Sequence, residues 1–275
     1  MEPTNPTQWR LIQSGSQHGA LNMAIDEALL ESVGAGNSPP TLRLYGWEPG
    51  CLSLGLAQPV GDIDRLALEA HGWDLVRRPT GGKAILHVDE LTYAIIAPAG
   101  HPALRGGVLT SYRRLSRGLT AGLARLGLEV DQPSARPSPG EAQNPICFEA
   151  PSAYEITGQG KKLLGSAQLR RKDAILQHGT LPLTGDISRI CLTLRYQDPQ
   201  SRRISRERLL ARAATVETLL NRIVGWDEAA QALKLGFEGA FGWTFKSTDL
   251  TDVEHARAHE LELSRYSSPA WIGRV

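Results

Sequence analysis

Residues able to take part in acyl chemistry crowd into one run, residues 144–183: Cys147, the adjacent Lys161 and Lys162, and His178. A Gly158-Gln159-Gly160 turn lies between the cysteine and the histidine and delivers the lysines directly after it. A cysteine that carries a thioester works as its thiolate, and a nearby cation favours that form. A lysine behind a tight turn can supply the cation. The competing reading is an apolar loop with a buried cysteine followed by an ordinary hairpin, since free cysteine is among the most buried residue types.

A second stretch offers a place for a polarised group. Residues 77–87 read Arg77-Arg78-Pro79-Thr80-Gly81-Gly82-Lys83-Ala84-Ile85-Leu86-His87. Positive charge beside a Pro-Thr-Gly-Gly turn makes a loop with exposed N–H groups, suited to an anion or a polarised carbonyl. A charged hairpin turn is the plain alternative. The loop is no P-loop: Arg77 stands five residues before Gly82, where glycine is required, and Ala84 replaces the Ser or Thr after the lysine.

The rest of the chain must position these groups. Its 275 residues, 41% hydrophobic and 21% charged, suit one domain or two with a full core. A formal net charge of +1 gives no global field for nucleic acid. Cys51, Cys147 and Cys191 form no CxxC pair, which argues against a disulfide framework and against a zinc site. The N-terminal residues lack the basic and apolar regions of a signal peptide, and no apolar run approaches the ~18 residues needed to span a bilayer. A cytoplasmic protein off the membrane is expected.

Residues 20–33 read as a helix, with Leu21, Ala24, Ile25, Ala28, Leu29 and Val33 inward and Asn22, Asp26 and Glu27 on the surface. Short strands follow at 41–45 and 51–56, where Gly55 marks either a close backbone approach or a β-bulge and Cys51 packs. A short helix at 62–70, a strand at 73–78 and a buried strand at 91–97 come next. The helix expected at 111–128 carries Arg113, Arg114, Arg117 and Arg125 outward. Residues 131–145, rich in Pro, Ser, Gly and Ala, are long for a structureless loop. After a short strand at 181–183 the chain turns helical, with helices at 206–224 and 227–234 and a capping box at Thr251-Asp252-Val253-Glu254. The pattern is α+β, with no repeat and no linker, so residues 1–275 form one domain whose helical part begins at about 200.

Taken together, several stretches resemble the lipoate-protein ligase and octanoyltransferase superfamily, related to the biotin protein ligases. They are residues 22–30, 42–58, 77–87, Glu90-Leu91-Thr92-Tyr93, 160–168 and Gln177-His178-Gly179-Thr180, in the family's order and over most of the chain. Cys147-Phe148 before Pro151-Ser152-Ala153-Tyr154-Glu155 looks most like the longer, ligase-like octanoyltransferases. The short helical region after the core, together with Arg78 and Lys83, favours the transferase over the ATP-dependent ligases.

The resemblance implies a mostly antiparallel central sheet flanked by helices and a two-step transfer. Octanoyl would arrive on acyl carrier protein, pass to Cys147 as a thioester, and leave on a lysine of a lipoyl domain. That acceptor would be the glycine cleavage H protein or a 2-oxoacid dehydrogenase E2. It implies a monomer with no metal and no cofactor. Lys162, two residues before Gly-Ser, is the implied catalytic lysine; Lys161 should face the other way. Arg78, Gly81, Gly82, Lys83, His87, Gly165, Ser166 and His178 are the implied substrate-binding set. Cys191 is the weaker competitor, because it lacks the Pro-Cys-Gly setting of the shorter transferases. A lipoate ligase forming lipoyl-AMP and an amidotransferase between lipoyl domains are the alternative activities. The 131–145 lead-in is expected to act as a lid that keeps Cys147 away from Lys162 until a donor docks.

Overall fold

The computed structural model describes residues 8–131, 145–149 and 156–275. Strand β1 (Gln8–Gln17) enters helix α1 (Gly19–Gly34), followed by β2 (Thr41–Trp47) and β3 (Cys51–Leu54). Helix α2 (Arg65–Ala70), β4 (Asp74–Arg77), β5 (Ile85–His87), β6 (Glu90–Pro98) and α3 (Val108–Arg125) come next. Cys147–Glu149 is a single 3-10 turn. Then come β7 (Ile156–Gly158), β8 (Lys161–Arg170), β9 (Ala174–Pro182), and helices α4 (Pro199–Arg212), α5 (Val216–Leu220) and α6 (Trp226–Phe241). The chain ends on β10 (Thr244–Ser247), α7 (Asp252–Leu261) and α8 (Pro269–Ile272).

The large sheet runs β10-β1-β2-β6-β9-β8-β7, and a small one runs β4-β3-β5. β1 is parallel to both neighbours; the other pairs of the large sheet are antiparallel. Period-2 alternation sorts the side chains of β6 between two cores. Leu91, Tyr93, Ile95 and Ala97 join the core beneath α3 and α6, and Ala94 and Ile96 join the one beneath α1 and α7. A third core under the small sheet takes in Ala84, Ile146, Phe148 and Cys191.

Helix α1 corrects the amphipathic reading: Asn22, Asp26 and Glu27 are all buried. The helix packs between sheet and C-terminal helices, so its polar residues are paired rather than solvated, as buried charges must be. Asp26 accepts from Arg43 at 2.7 Å and from Tyr45 at 2.9 Å. Glu27 accepts from Arg265 at 2.6 Å and Tyr266 at 2.6 Å, and pairs with Arg171.

The helix expected at 206–224 is broken. Ala213 turns extended (φ −129°, ψ 156°) and bridges Lys162, and the Ala214 N–H donates to the Lys162 carbonyl at 3.0 Å. Thr215 then caps α5. The strand expected at 181–183 begins earlier, at Ala174, because Gln177, His178 and Thr180 are buried within a central strand despite their polarity. The Thr251–Glu254 capping box is present.

At Gly55 the close backbone approach is the one observed. A Cβ there would stand 1.8 Å from the Gly82 carbonyl oxygen, so only glycine lets β3 and the glycine loop pass. The Leu56 N–H donates to Thr80 at 2.8 Å and the Arg78 N–H to Leu54 at 2.9 Å, fixing the loop over the strand.

Candidate active site

Cys147 is pinned to the glycine loop through its backbone. The Ala84 N–H donates to Pro145, and the Cys147 N–H donates to Ala84, each at 3.0 Å. Its sulfur meets Lys162, which rises from β8. Lys162 Nζ donates to the Cys147 carbonyl at 2.6 Å, stands 3.5 Å from Sγ, and lies 5.0 Å from the centre of the Phe148 ring. The expected separation of cysteine and lysine is therefore not seen. Residues 132–144 of the lead-in lie outside the described residues, as do 150–155.

Lys162 is buried, held from behind by the Ala213–Ala214 segment. Lys161 points away and donates to the Leu210 carbonyl at 2.9 Å. Gly165 keeps the cysteine–lysine contact open: a Cβ there would fall 3.3 Å from Lys162 Cε and 3.7 Å from Cys147 Sγ.

Beside the sulfur lies a cavity of about 410 Å³, its mouth included. Met23, Tyr45, Trp47, Ile85 and Ala167 give it apolar wall, joined by Arg78, Gly82, His87, Cys147, Gly165, Ser166 and His178 of the expected set. Thr92, Gly179 and Thr180 complete the lining. Gly81 and Lys83 sit on the same loop outside that wall, where the carbonyl of each accepts from Arg78.

Arg78 is buried, and its hydrogen bonds go to the carbonyls of Ser53, Gly81 and Lys83 and to the Ser53 hydroxyl. No carboxylate pairs with it among the described residues. Burial pulls its pKa down, and the Cys147 sulfur opposes that shift. The Lys162 ammonium stands 3.5 Å from the Cys147 sulfur, and the Arg78 guanidinium belongs to the wall of the same cavity.

Two carboxylate–histidine–hydroxyl relays flank the cavity. In the first, His178 Nδ1 is 3.0 Å from Asp26 and Nε2 is 2.8 Å from Thr80 Oγ1. A carboxylate only accepts, so Nδ1 carries the proton and the Thr80 hydroxyl donates to Nε2. Burial holds the His178 pKa below its usual value, against the pull of Asp26, so the ring is neutral. Asp26 itself is pushed up by burial, but Arg43 and His178 outweigh this and hold it below the usual carboxylate range.

In the second relay His87 Nδ1 is 2.8 Å from Glu90 and Nε2 is 2.6 Å from Ser53 Oγ, with the ring stacked 4.0 Å from Trp47. Thr92 also donates to Glu90, and Trp47 Nε1 donates to Thr92 at 2.8 Å. Both histidines are therefore oriented wall groups with both ring nitrogens engaged.

The other cysteines are elsewhere. Cys51 is fully buried against α1, and burial pushes its thiol well up. Cys191 is buried in the third core and lines no wall of this cavity. Asp26, Glu90 and Thr180 were missed from sequence. For Asp26 the one available signal was Arg43 between Leu42 and Leu44, a charge inside an apolar strand that demands a buried partner somewhere in the chain.

The model of the lipoyl protein ligase A/B catalytic domain matches residues 18–238, a span that includes both histidine relays, Cys147 and Lys162. The chain belongs to this family. Among lipoyl ligase-family relatives it is 40% identical over 273 residues to an octanoyltransferase LipM of Symbiobacterium thermophilum, covering 96% of this chain and 98% of that protein. It is 38% identical over 269 residues to another from Geobacillus kaustophilus, covering 96% and 97%. The fold matches a bipartite lipoate protein ligase of Thermoplasma acidophilum, studied with its E2 lipoyl domain, at TM-score 0.80, 24% identity and 98% of each chain. A lipoate-protein ligase A bound with ATP matches at TM-score 0.78 and 24% identity, over 98% of this chain and 100% of that one.

Proposed function

We propose that this chain is an octanoyltransferase that moves octanoyl from octanoyl-acyl carrier protein to a lysine of a lipoyl domain, through a thioester on Cys147. The observation that carries it is Lys162 Nζ, 3.5 Å from Cys147 Sγ, at the wall of a largely apolar cavity. The full-length likeness to octanoyltransferases supports the same reading.

In the first step the Cys147 thiolate attacks the donor carbonyl. A carbon–sulfur bond forms to Cys147, the donor carbon–sulfur bond breaks, and the donor leaves as a thiol after taking the proton that Cys147 lost. In the second step the amine of the acceptor lysine attacks the Cys147 thioester. A carbon–nitrogen bond forms, the carbon–sulfur bond breaks, and the surplus amine proton returns to Cys147 by way of Lys162. Thioester exchange is nearly isoenergetic and amide formation from a thioester is downhill, so neither step needs ATP.

Lys162 and Arg78 stabilise negative charge on the sulfur. Gly82, Gly165 and Ser166 line the place where the carbonyl must sit, with Gly81 and Lys83 shaping the loop from outside. The histidines stiffen the walls. Burying the methylenes of an octanoyl chain contributes about 5 kcal/mol at ~0.8 kcal/mol each. A lipoyl domain, of the glycine cleavage H protein or of a 2-oxoacid dehydrogenase E2, is the acceptor. The reading includes a cytoplasmic monomer that requires no metal or organic cofactor.

Intact-mass analysis after mixing the protein with octanoyl-acyl carrier protein, without nucleotide, tests this. A thiol-linked octanoyl adduct is expected on the wild type and none on Cys147→Ala. An adduct on the variant overturns the assignment of the cysteine. Loading of lipoate only with ATP indicates a ligase, and transfer only from an octanoylated lipoyl domain indicates an amidotransferase.

A further inference from the structure

Thr180 lies on the central strand β9, opposite Gly165 of β8 on one side and Thr92 of β6 on the other. Side chains two residues apart on a strand share a face, so Thr180 and His178 both project toward the cavity, and both line it. Gly165 is also where the sulfur reaches the sheet, since a Cβ built there would stand 3.7 Å from Cys147 Sγ. Directly opposed residues on antiparallel strands have Cβ atoms roughly 5 Å apart. Thr180 therefore occupies the neighbouring position on the cavity floor, and the missing side chain of Gly165 leaves the way between them open.

The other hydroxyls of that wall are engaged. Tyr45 donates to Asp26, Thr92 to Glu90, and Ser166 shares a 2.6 Å hydrogen bond with Tyr93. Thr180 is 1% exposed, and its Oγ1 has no hydrogen-bond partner among the described residues. A buried hydroxyl without a partner is costly and uncommon. The wall carries such a group beside the reacting sulfur.

We propose that Thr180 Oγ1 donates a hydrogen bond to the carbonyl oxygen of the acyl group bound at Cys147, and is a further catalytic residue. The inference rests on acyl transfer through Cys147. The hydroxyl keeps its proton throughout. It turns toward the oxygen that becomes negative when the thiolate, and later the amine, adds to the carbonyl carbon. A donor fixed in a water-poor wall stabilises that charge more than it stabilises the ground-state carbonyl. It thereby raises the rate more than the affinity.

Thr180→Val keeps the shape and removes the hydroxyl; Thr180→Ser keeps the hydroxyl. With octanoyl-acyl carrier protein as donor, the valine variant should acylate Cys147 about 10²-fold more slowly, the cost of losing one such donor. The loss should fall on kcat with KM little changed, and serine should restore most of the rate. Because the hydroxyl has no partner among the described residues, valine should leave Tm unchanged or raised. A valine variant that acylates within about threefold of wild type overturns the inference while leaving the Cys147 thioester standing. A Tm drop of more than about 5 °C also overturns it, by marking the hydroxyl as a structural bond. If the wild type forms no thiol-linked adduct, acyl transfer through Cys147 is itself wrong, and the role of Thr180 falls with it.

Discussion

Lys162 touches Cys147 twice: Nζ donates 2.6 Å to the carbonyl oxygen and stands 3.5 Å from the sulfur of the same residue. One ammonium thus fixes the turn that presents the thiol and supplies charge to the thiol. Lys162→Met, which keeps the length and removes the charge, should slow acyl transfer about 10³-fold, the range of a positioned proton-transfer group. Alkylation of Cys147 by iodoacetamide at pH 7 should also slow, by about tenfold, because thiolate is the reactive form. Equal alkylation rates in the two proteins would separate Lys162 from activation of the sulfur.

A methyl group at residue 165 would press on the far end of the lysine, 3.3 Å from Cε and 3.6 Å from Nζ. That end of a lysine yields easily, so Gly165→Ala should displace the ammonium from the sulfur and leave the fold intact. Transfer is expected to drop at least tenfold with a stability change under about 1 kcal/mol. Parallel assays of single-turnover acylation and urea unfolding check both halves.

The buried Arg43–Asp26–His178 cluster gives stability an acid dependence. Burial keeps the folded pKa of His178 below its ordinary value. A depressed folded pKa means that stability is complete above the unfolded value of about 6.5 and is lost as pH falls through the folded value. Asp26, also depressed, adds a second loss below about pH 4. The urea midpoint should fall between pH 7 and pH 5, and more gently in His178→Asn. A residual slope is expected from His101, which burial also holds down. Asp26→Asn, which leaves the fully buried Arg43 without its countercharge, should cost about 3 kcal/mol at pH 7.

Glu254 joins α7 to β1 by accepting from Arg10 at 2.8 Å and 3.0 Å while closing the Thr251 capping box. Burial pushes its pKa up, but the Arg10 and Thr251 bonds outweigh that and hold it at about 2. Its contribution is complete above the unfolded value near 4.3 and disappears as pH falls toward 2. Glu254→Gln should flatten the stability profile between pH 5 and pH 2. An unchanged profile in circular-dichroism melts across that range would show that the pair does not couple the two elements.

The apolar periodicity of β2, β6 and α3 was plain in the sequence, because these elements bury one face or two faces at a regular spacing. Cys147, Lys162 and Gly165 were legible as residue types on a turn and a strand, and the structure brings them together. What periodicity missed has a common physical cause. Asn22, Asp26 and Glu27 read as surface because polarity normally means solvent; here each is matched by an arginine, tyrosine or backbone group distant in sequence. Nothing local announces such pairs. The break at Ala213 was hidden in the same way, since its backbone partner is Lys162 on a strand distant in sequence. Thr180 was invisible as a site residue, because an absent hydrogen bond can be recognised only in three dimensions.

The two backbone links from Ala213 and Ala214 to Lys162 reach beyond the site. β8 pairs with β9 only from Gly165 onward, and β7 covers the opposite side of residues 161–164. Among the described residues, Lys162 would otherwise present an open rim of main chain beside Cys147. An open rim recruits extended peptide from any passing chain. Two alanines from a neighbouring helix end cover it, so this part of the strand is closed to such pairing. A substitution that re-forms a continuous helix through 213–215 should therefore bring self-association, read by size-exclusion chromatography, together with slower transfer as Lys162 loses its support.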